Sequence, residues 1–363
     1  MQTYENDSIE ETSGVVNALL KESASSKIMD NELSSNDNAK INGYISRKPR
    51  WWKRLAGRRG TAAQRKAINR MTQKGFVLPT LKKYQHELNL AKVFSDSPSS
   101  SSKSILADEV LVPKLKDISG ALCSDAKNIA EDKHVILEIG FGLGDNILTN
   151  ATKFPDQYYI GAEIHQPGVG TALMRIEKSI ESGKYWMDQS WLYESDKLDI
   201  EKREAIQADK DDRPNPYDNL RIFPGDGIKL LDYLPHNSMD SIYLTFPDPW
   251  PNEEHHHWRV IQVETVHMIG QVLKNGGCFY LATDSVIVDE WASQIFHIIH
   301  KNEDGNDKTS SEWHELTLCP DRTHWLPAMS KYEEKGISEG RLPMCRCWKI
   351  KKYETFDAVN AIE

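Results

Sequence analysis

No apolar run in the 363 residues approaches the ~20 that a membrane-spanning helix needs, so neither an integral membrane protein nor a membrane partner is expected. Cysteine is scarce, five in all. An odd, scattered set in a chain this long argues against a disulfide framework and for a reducing compartment. The stretch from Met1 to Glu11 is acidic and no apolar segment follows it, so a secretory leader is not expected. Basic side chains are outnumbered, 45 against 54 acids, for a formal charge of −9. An apolar fraction of 39% and an aromatic fraction of 9% still permit a substantial core. The length suits one large domain with appendages, or two smaller domains.

Charge is spread unevenly. Residues 1–46 hold eight acids against three lysines and, apart from Tyr4 and Tyr44, no aromatic. Such a stretch buries too little apolar area to offset the entropy of ordering, which predicts disorder. From Arg47 to Gly75 there are eleven Lys and Arg and no acid, with Trp51 and Trp52 among them. A block of +11 on an otherwise acidic chain is the footprint of a phosphate-backbone contact. A solvated basic tail or a targeting signal would have the same composition. Ser95 to Ser104 carries seven serines and reads as a flexible insertion. Lys184 to Asp218 ends in a proline-rich loop, with room for a short polar helix over 197–208. Its aromatic cluster, Tyr185 to Tyr193, either packs the insertion on the core or covers a cleft.

Between these stretches strands and helices alternate. Strands are predicted at 134–139, 158–164, 220–223, 241–246 and 278–283, and helices at 145–153, 256–273 and 285–301. Late strands at 314–318 and 344–350 suit an antiparallel edge, and on the second of them Cys345 and Cys347 share a face. The pattern implies an α/β fold, a doubly wound and mostly parallel sheet with helices on both faces.

The strongest local signal is Glu138-Ile-Gly140-Phe-Gly142-Leu-Gly144, set between a strand and a helix. The glycines allow a tight turn and close approach of a ligand. A dinucleotide-binding dehydrogenase would also carry such a turn. Here the third glycine comes one residue early for that fingerprint. Glu138 moreover sets a carboxylate before the turn, which would repel a pyrophosphate and suits a cation. S-adenosylmethionine carries a sulfonium and an ammonium. Glu163, at the end of the next strand, lies where a ribose would, and Asp226 where an adenine amino group would. Phe246-Pro-Asp-Pro-Trp250 ends the fourth strand. Its two prolines stiffen the loop that points Asp248 into the crevice, and Trp250 offers a stacking face.

These residues resemble the tRNA (guanine-N7-)-methyltransferases of the bacterial, single-subunit type. The matching strings are Leu137 to Gly142, Gly161-Ala-Glu-Ile-His-Gln-Pro-Gly-Val-Gly170, Asn219 to Ile222, Phe246 to Trp250, Gly276 to Asp284 and Ser330 to Glu333. A weaker match is Gly57 to Thr61 with Gln64. The resemblance spans about 134–350 and implies a seven-stranded Rossmann-like methyltransferase sheet with one antiparallel strand. It implies S-adenosylmethionine as methyl donor, no metal, tRNA as partner and no obligate protein subunit. The reaction implied is methylation of guanine N7 in the variable-loop region of tRNA. Glu138, Glu163, Asp226 and Asp248 match cofactor-binding positions around the Gly140, Gly142 and Gly144 turn, and Asp248 also matches the active-site position. Asp284, Ser330, Lys331, Tyr332 and Glu333 match positions given to the RNA. The domains expected are a disordered extension (1–46), a basic segment (47–92), an insertion (93–132), the methyltransferase domain (133–353) and a tail (354–363). Cytoplasm or nucleus is the default compartment, with plastid or mitochondrion open.

One departure stands out. The family's segment after Pro-Asp-Pro is basic and includes a substrate-binding lysine. Here Asn252 takes that place, three histidines follow at 255–257, and Arg259 alone is plainly cationic. Neighbours on a helix point ~100° apart, so the histidines are not expected to chelate one ion. The depleted charge keeps open an altered or non-catalytic relative that binds S-adenosylmethionine or RNA, and the basic block at 47–75 is expected to compensate.

Overall fold

Apolar runs become the central strands, such as Val135–Ile139, which ends at Gly140, and Tyr158–Ala162, which ends at Glu163. The computed structural model describes residues 60–79, 81, 86–95, 104–113, 133–182, 215–303, 311–317 and 319–353. The expected disorder at 1–46, the basic residues 47–59, most of the serine run, the aromatic cluster at 185–193, the helix at 197–208 and the tail lie outside the described residues. The chain divides after Lys48, and every described residue belongs to the part from Pro49 onward.

A small antiparallel pair, β1 (His86–Leu88) and β2 (Leu111–Pro113), precedes the main sheet. That sheet contains β3 (Val135–Ile139), β4 (Tyr158–Ala162), β5 (Leu220–Phe223), β6 (Met239–Thr245), β7 (Leu273–Thr283), β8 (Ser311–Glu315) and β9 (Met344–Lys352). Its spatial order is β5-β4-β3-β6-β7-β9-β8. The first five in that order are parallel, and β9 runs against both of its neighbours, as expected of this sheet.

Both faces are covered at the centre of the sheet, which is why β3 and β5 are buried along their whole length. Val135, Leu137 and Ile139 enter one core with Ile242, Leu244 and Phe279, while Ile136 enters the other with Tyr159, Ile222 and Tyr243. The helices in chain order are α1 (Ala62–Gln73), α2 (Leu90–Ser95), α3 (Ala107–Val110), α4 (Asp145–Lys153), α5 (Gln166–Ser182), α6 (Gly227–Leu231), α7 (Val263–Val272), α8 (Val286–Glu303) and α9 (Lys331–Ser338). Met71 of α1, Ile147 of α4 and Leu173 of α5 cover the Ile136 face. Val266 of α7 and Ile295 of α8 cover the other. Cys347 is buried on β9 and Cys345 half-buried.

Helix α1 starts on a capping box between Thr61 and Gln64 and is fastened to α5 by Arg70, whose guanidinium donates to both oxygens of Glu177 at 2.7 and 2.6 Å. The chain then runs beside β5, exchanging hydrogen bonds of 2.8 Å with Ile222 through Phe76 and Leu78.

Three boundaries differ from the periodicity. The helix expected at 256–273 is a 3-10 turn (Glu253–Trp258), an extended link, and then α7. Hydrogen bonds from Arg259 and Gln262 side chains to nearby carbonyls hold that link open. Strand β7 begins at Leu273 and runs through Gly276 and Gly277. The strand expected at 314–318 lies at Ser311–Glu315.

Candidate active site

Chain order moves outward from β3 to β4 and β5, then returns to place β6 on the other side of β3. That reversal opens a crevice beyond the carboxyl ends of β3 and β6, where open α/β sheets bind ligands. Four carboxylates stand at or just beyond the ends of these strands: Glu138 on β3, Glu163 after β4, Asp226 after β5 and Asp248 after β6.

Glu138 is 1% exposed and faces the same side as its register partners Gly161 and Tyr243. Asn146 Nδ2 donates to it at 3.2 Å and Thr245 Oγ1 at 3.3 Å. Burial outweighs those two donors and pushes its carboxyl from 4.5 up to about 8. A cation brought beside it would restore the ionised form. Asn146 and Thr245 escaped the sequence reading; the only available signal was a polar residue in the first turn of α4 and another at a strand end.

The turn after β3 takes three left-handed residues, Gly140, Gly142 and Gly144, at φ of 76°, 60° and 89°. Side chains other than glycine rarely adopt them. Space is open over Gly140, where an added Cβ would meet nothing within 4 Å. Glu163 ties the turn down: one carboxylate oxygen accepts the Gly142 N–H at 2.8 Å and the other the His165 N–H at 2.7 Å. Gly168 completes the approach, since a Cβ there would stand 2.3 Å from the Gly142 carbonyl oxygen. Burial raises the Glu163 carboxyl, opposed by these backbone donors and assisted by the charge of Asp248.

Asp226 caps α6, accepting the Ile228 N–H at 3.0 Å with one oxygen, and burial raises its carboxyl as well. Asp248 stands at the tip of its loop, open to solvent on one side. The protein crowded on its other side still pushes its carboxyl above the ordinary range. The loop itself is bent at both ends by residues with positive φ, Phe246 at 49° and Trp250 at 42°. Such strain concentrates where surrounding structure holds a functional group in place.

The expected substrate residues divide into two kinds. Tyr332 is 64% exposed, and its ring lies 3.7 Å from where a Gly142 Cβ would be. Burial of part of the ring raises its hydroxyl, and the charges of Asp248 and Glu163 raise it further. This ring therefore links α9 to the turn after β3. Lys331 is exposed at the start of the same helix. The others face inward. Ser330 caps α9 by accepting the Glu333 N–H at 3.1 Å. Glu333 is 1% exposed and accepts from Arg322 at 2.6 Å. Asp284 accepts from Arg341 Nε at 2.8 Å and packs so tightly on Gly336 that a Cβ there would meet its carboxylate at 2.4 Å.

The segment after Asp248 is an aromatic cluster. His255 stacks on Trp258 with centroids 4.1 Å apart, Trp250 meets Trp258 edge-on at 4.8 Å, and His256 lies 5.4 Å from Trp291. Among the described residues no group of three His, Cys, Asp or Glu is arranged for a metal ion. No helix of the described residues is long and apolar enough to cross a membrane.

Comparison with known proteins agrees with this geometry. A family model, Methyltransf_4, described as a methyltransferase, matches residues 132–345. The chain is similar to a tRNA (guanine-N(7)-)-methyltransferase of Bartonella quintana, 29% identical over 240 residues that cover 65% of this chain and 84% of that one. A second, from Nitrosococcus oceani, is 31% identical over 206 residues, 56% of this chain and 66% of that one. A third, from Nitrosospira multiformis, is 28% identical over 236 residues, 64% and 82% of the two chains.

Proposed function

The chain belongs to the tRNA (guanine-N7-)-methyltransferase family, and we propose that it transfers a methyl group from S-adenosylmethionine to N7 of a guanine in tRNA. The observation that carries this reading is the set of four carboxylates, from one chain, around the Gly140–Gly144 turn at the ends of four adjacent parallel strands. The residues fit the cofactor. The turn leaves space over Gly140. Glu163, already held by backbone N–H groups, is assigned to the ribose hydroxyls. Asp226 is assigned to the adenine amino group and Glu138 to the cationic end.

S-adenosylmethionine, when bound, supplies an electrophilic methyl group on a sulfonium. Guanine N7 presents an in-plane lone pair and no proton, so this chain has no base catalysis to perform there. Its task is to hold the purine in line and keep water out. Asp248 is assigned to the guanine N1–H and N2–H edge, where it would also offset the positive charge left on the methylated ring. Lys331 and Tyr332 are assigned to the RNA, Tyr332 as a wall of the base site beside Gly142. Ser330, Glu333 and Asp284 act on the RNA indirectly by fixing α9.

The experiment is incubation of the purified full chain with labelled S-adenosylmethionine and unmodified tRNA, followed by nucleoside analysis for N7-methylguanosine. Label in that nucleoside supports the proposal. Binding of tRNA or S-adenosylhomocysteine without transfer would instead support the non-catalytic relative, a reading favoured by the exposed Glu253 and Glu254 where the family is basic.

A further inference from the structure

Arg259 is the one arginine in the segment that follows Asp248, and its side chain turns inward, with 7% of its surface exposed. Nε donates to the Pro249 carbonyl at 2.9 Å, and Nη2 donates to the Trp250 carbonyl at 3.1 Å. The face of the guanidinium lies 4.6 Å from the centroid of the Trp291 ring. That indole is itself pinned by its N–H to the Ile261 carbonyl at 2.7 Å. Gln262 completes the frame by donating to the carbonyls of His256 and Arg259 at 2.8 and 3.1 Å.

Both acceptors lie immediately after Asp248, in the loop whose ends carry the left-handed Phe246 and Trp250. A non-glycine residue in that region keeps its conformation only where neighbours hold it. A planar guanidinium satisfies two adjacent carbonyls along one edge while its flat face rests on an indole. An ammonium is a single point donor and cannot do both. With 7% of its surface exposed, the side chain offers little to a phosphate.

We propose that Arg259 is a positioning residue for methyl transfer, a buried strut that sets the Asp248 loop, rather than a tRNA contact. The inference rests on the reading of Asp248 as the group beside the reacting purine.

The test compares full-length wild type with Arg259→Ala and Arg259→Lys. Wild-type turnover is measured first, so a wild type that fails to methylate tRNA counts against the proposed function and not against the strut. For both variants kcat is expected to fall by about 100-fold, with the KM for tRNA and the salt dependence of tRNA binding unchanged. Ethylguanidinium is expected to restore part of the Arg259→Ala turnover. Hydrogen exchange gives a readout independent of activity: the Asp248 and Trp250 amides should exchange faster in both variants. Should Arg259→Ala fail to fold, Arg259→Lys carries the comparison. A raised KM with a salt slope lowered by about one would make Arg259 a phosphate contact and overturn the proposal. Unchanged turnover in Arg259→Lys, or unchanged protection of the loop amides, would overturn it too.

Discussion

Glu163 accepts the backbone N–H of Gly142 at 2.8 Å, so the carboxylate that follows β4 also fixes the turn that follows β3. Its other oxygen holds the N–H of His165, two residues further along its own chain. One side chain thus sets the spacing between two strand ends before any ligand arrives. Substitution at this position will act through preorganisation as well as through any direct contact.

Glu163→Gln is the sharpest probe of that double role. The amide keeps one acceptor oxygen and turns an NH2 toward a backbone donor. Loss of one hydrogen bond to a charged acceptor and the new donor–donor clash should weaken S-adenosylhomocysteine binding by about 10- to 100-fold in calorimetry. Equal affinity for the two proteins would mean that the turn holds without the carboxylate.

Glu138 gives a pH signature. Its carboxyl stands at about 8 in the fold against an ordinary 4.5. A raised pKa means that its contribution to stability is whole below the ordinary value and is lost as pH rises through about 8. Thermal unfolding of the cofactor-free protein from about pH 5 to about pH 9 should therefore fall more steeply in wild type than in Glu138→Gln. A cationic ligand reverses the preference. Binding of S-adenosylmethionine should release a proton and tighten as pH rises toward about 8, seen as a buffer-dependent heat. Parallel unfolding curves would contradict the first expectation, and a buffer-independent heat the second.

Gly168→Ala places a methyl group 2.3 Å from the Gly142 carbonyl oxygen, a backbone atom that cannot swing aside. Relief requires the turn or the start of α5 to move. The expected result is a loss of ~1–3 kcal/mol in stability together with weaker S-adenosylhomocysteine binding. Denaturant unfolding and calorimetry measure the two effects, and wild-type values for both would contradict the packing described.

Glu333→Ala separates holding from touching. Removing the buried partner of Arg322 should cost about 3 kcal/mol in unfolding experiments while the salt slope of tRNA binding stays unchanged. Unaltered stability with weaker tRNA binding would return Glu333 to the RNA surface.

Much of this was legible because a sheet covered on both faces leaves a simple trace. The run Val135–Ile139 is buried throughout, and the abrupt change to Gly140 marks where it must turn. Carboxylates at successive strand ends follow from the same reading. What escaped it depends on partners with no regular spacing. Apolar residues continue at helical intervals through 256–273, yet the Arg259 and Gln262 side chains reach back to carbonyls and hold the link extended. Gly276 and Gly277 read as a break. In the fold a Cβ on Gly277 would stand 3.1 Å from the Asp240 carbonyl, so glycine there lets β7 run close to its neighbour. Glu333 matches an RNA position in sequence, yet in the fold it is buried against Arg322 across a loop. The Tyr332 ring reaches Gly142 from a helix nearly two hundred residues away in sequence, which no local pattern encodes.

The most direct measurement is a single-turnover comparison of wild type and Asp248→Ala, with S-adenosylmethionine and unmodified tRNA both saturating and the N7-methylguanosine formed read by mass spectrometry. The account predicts formation in the wild type and a rate at least about 100-fold lower in the variant. N7-methylguanosine appearing at the same rate in both, or in neither, would contradict it.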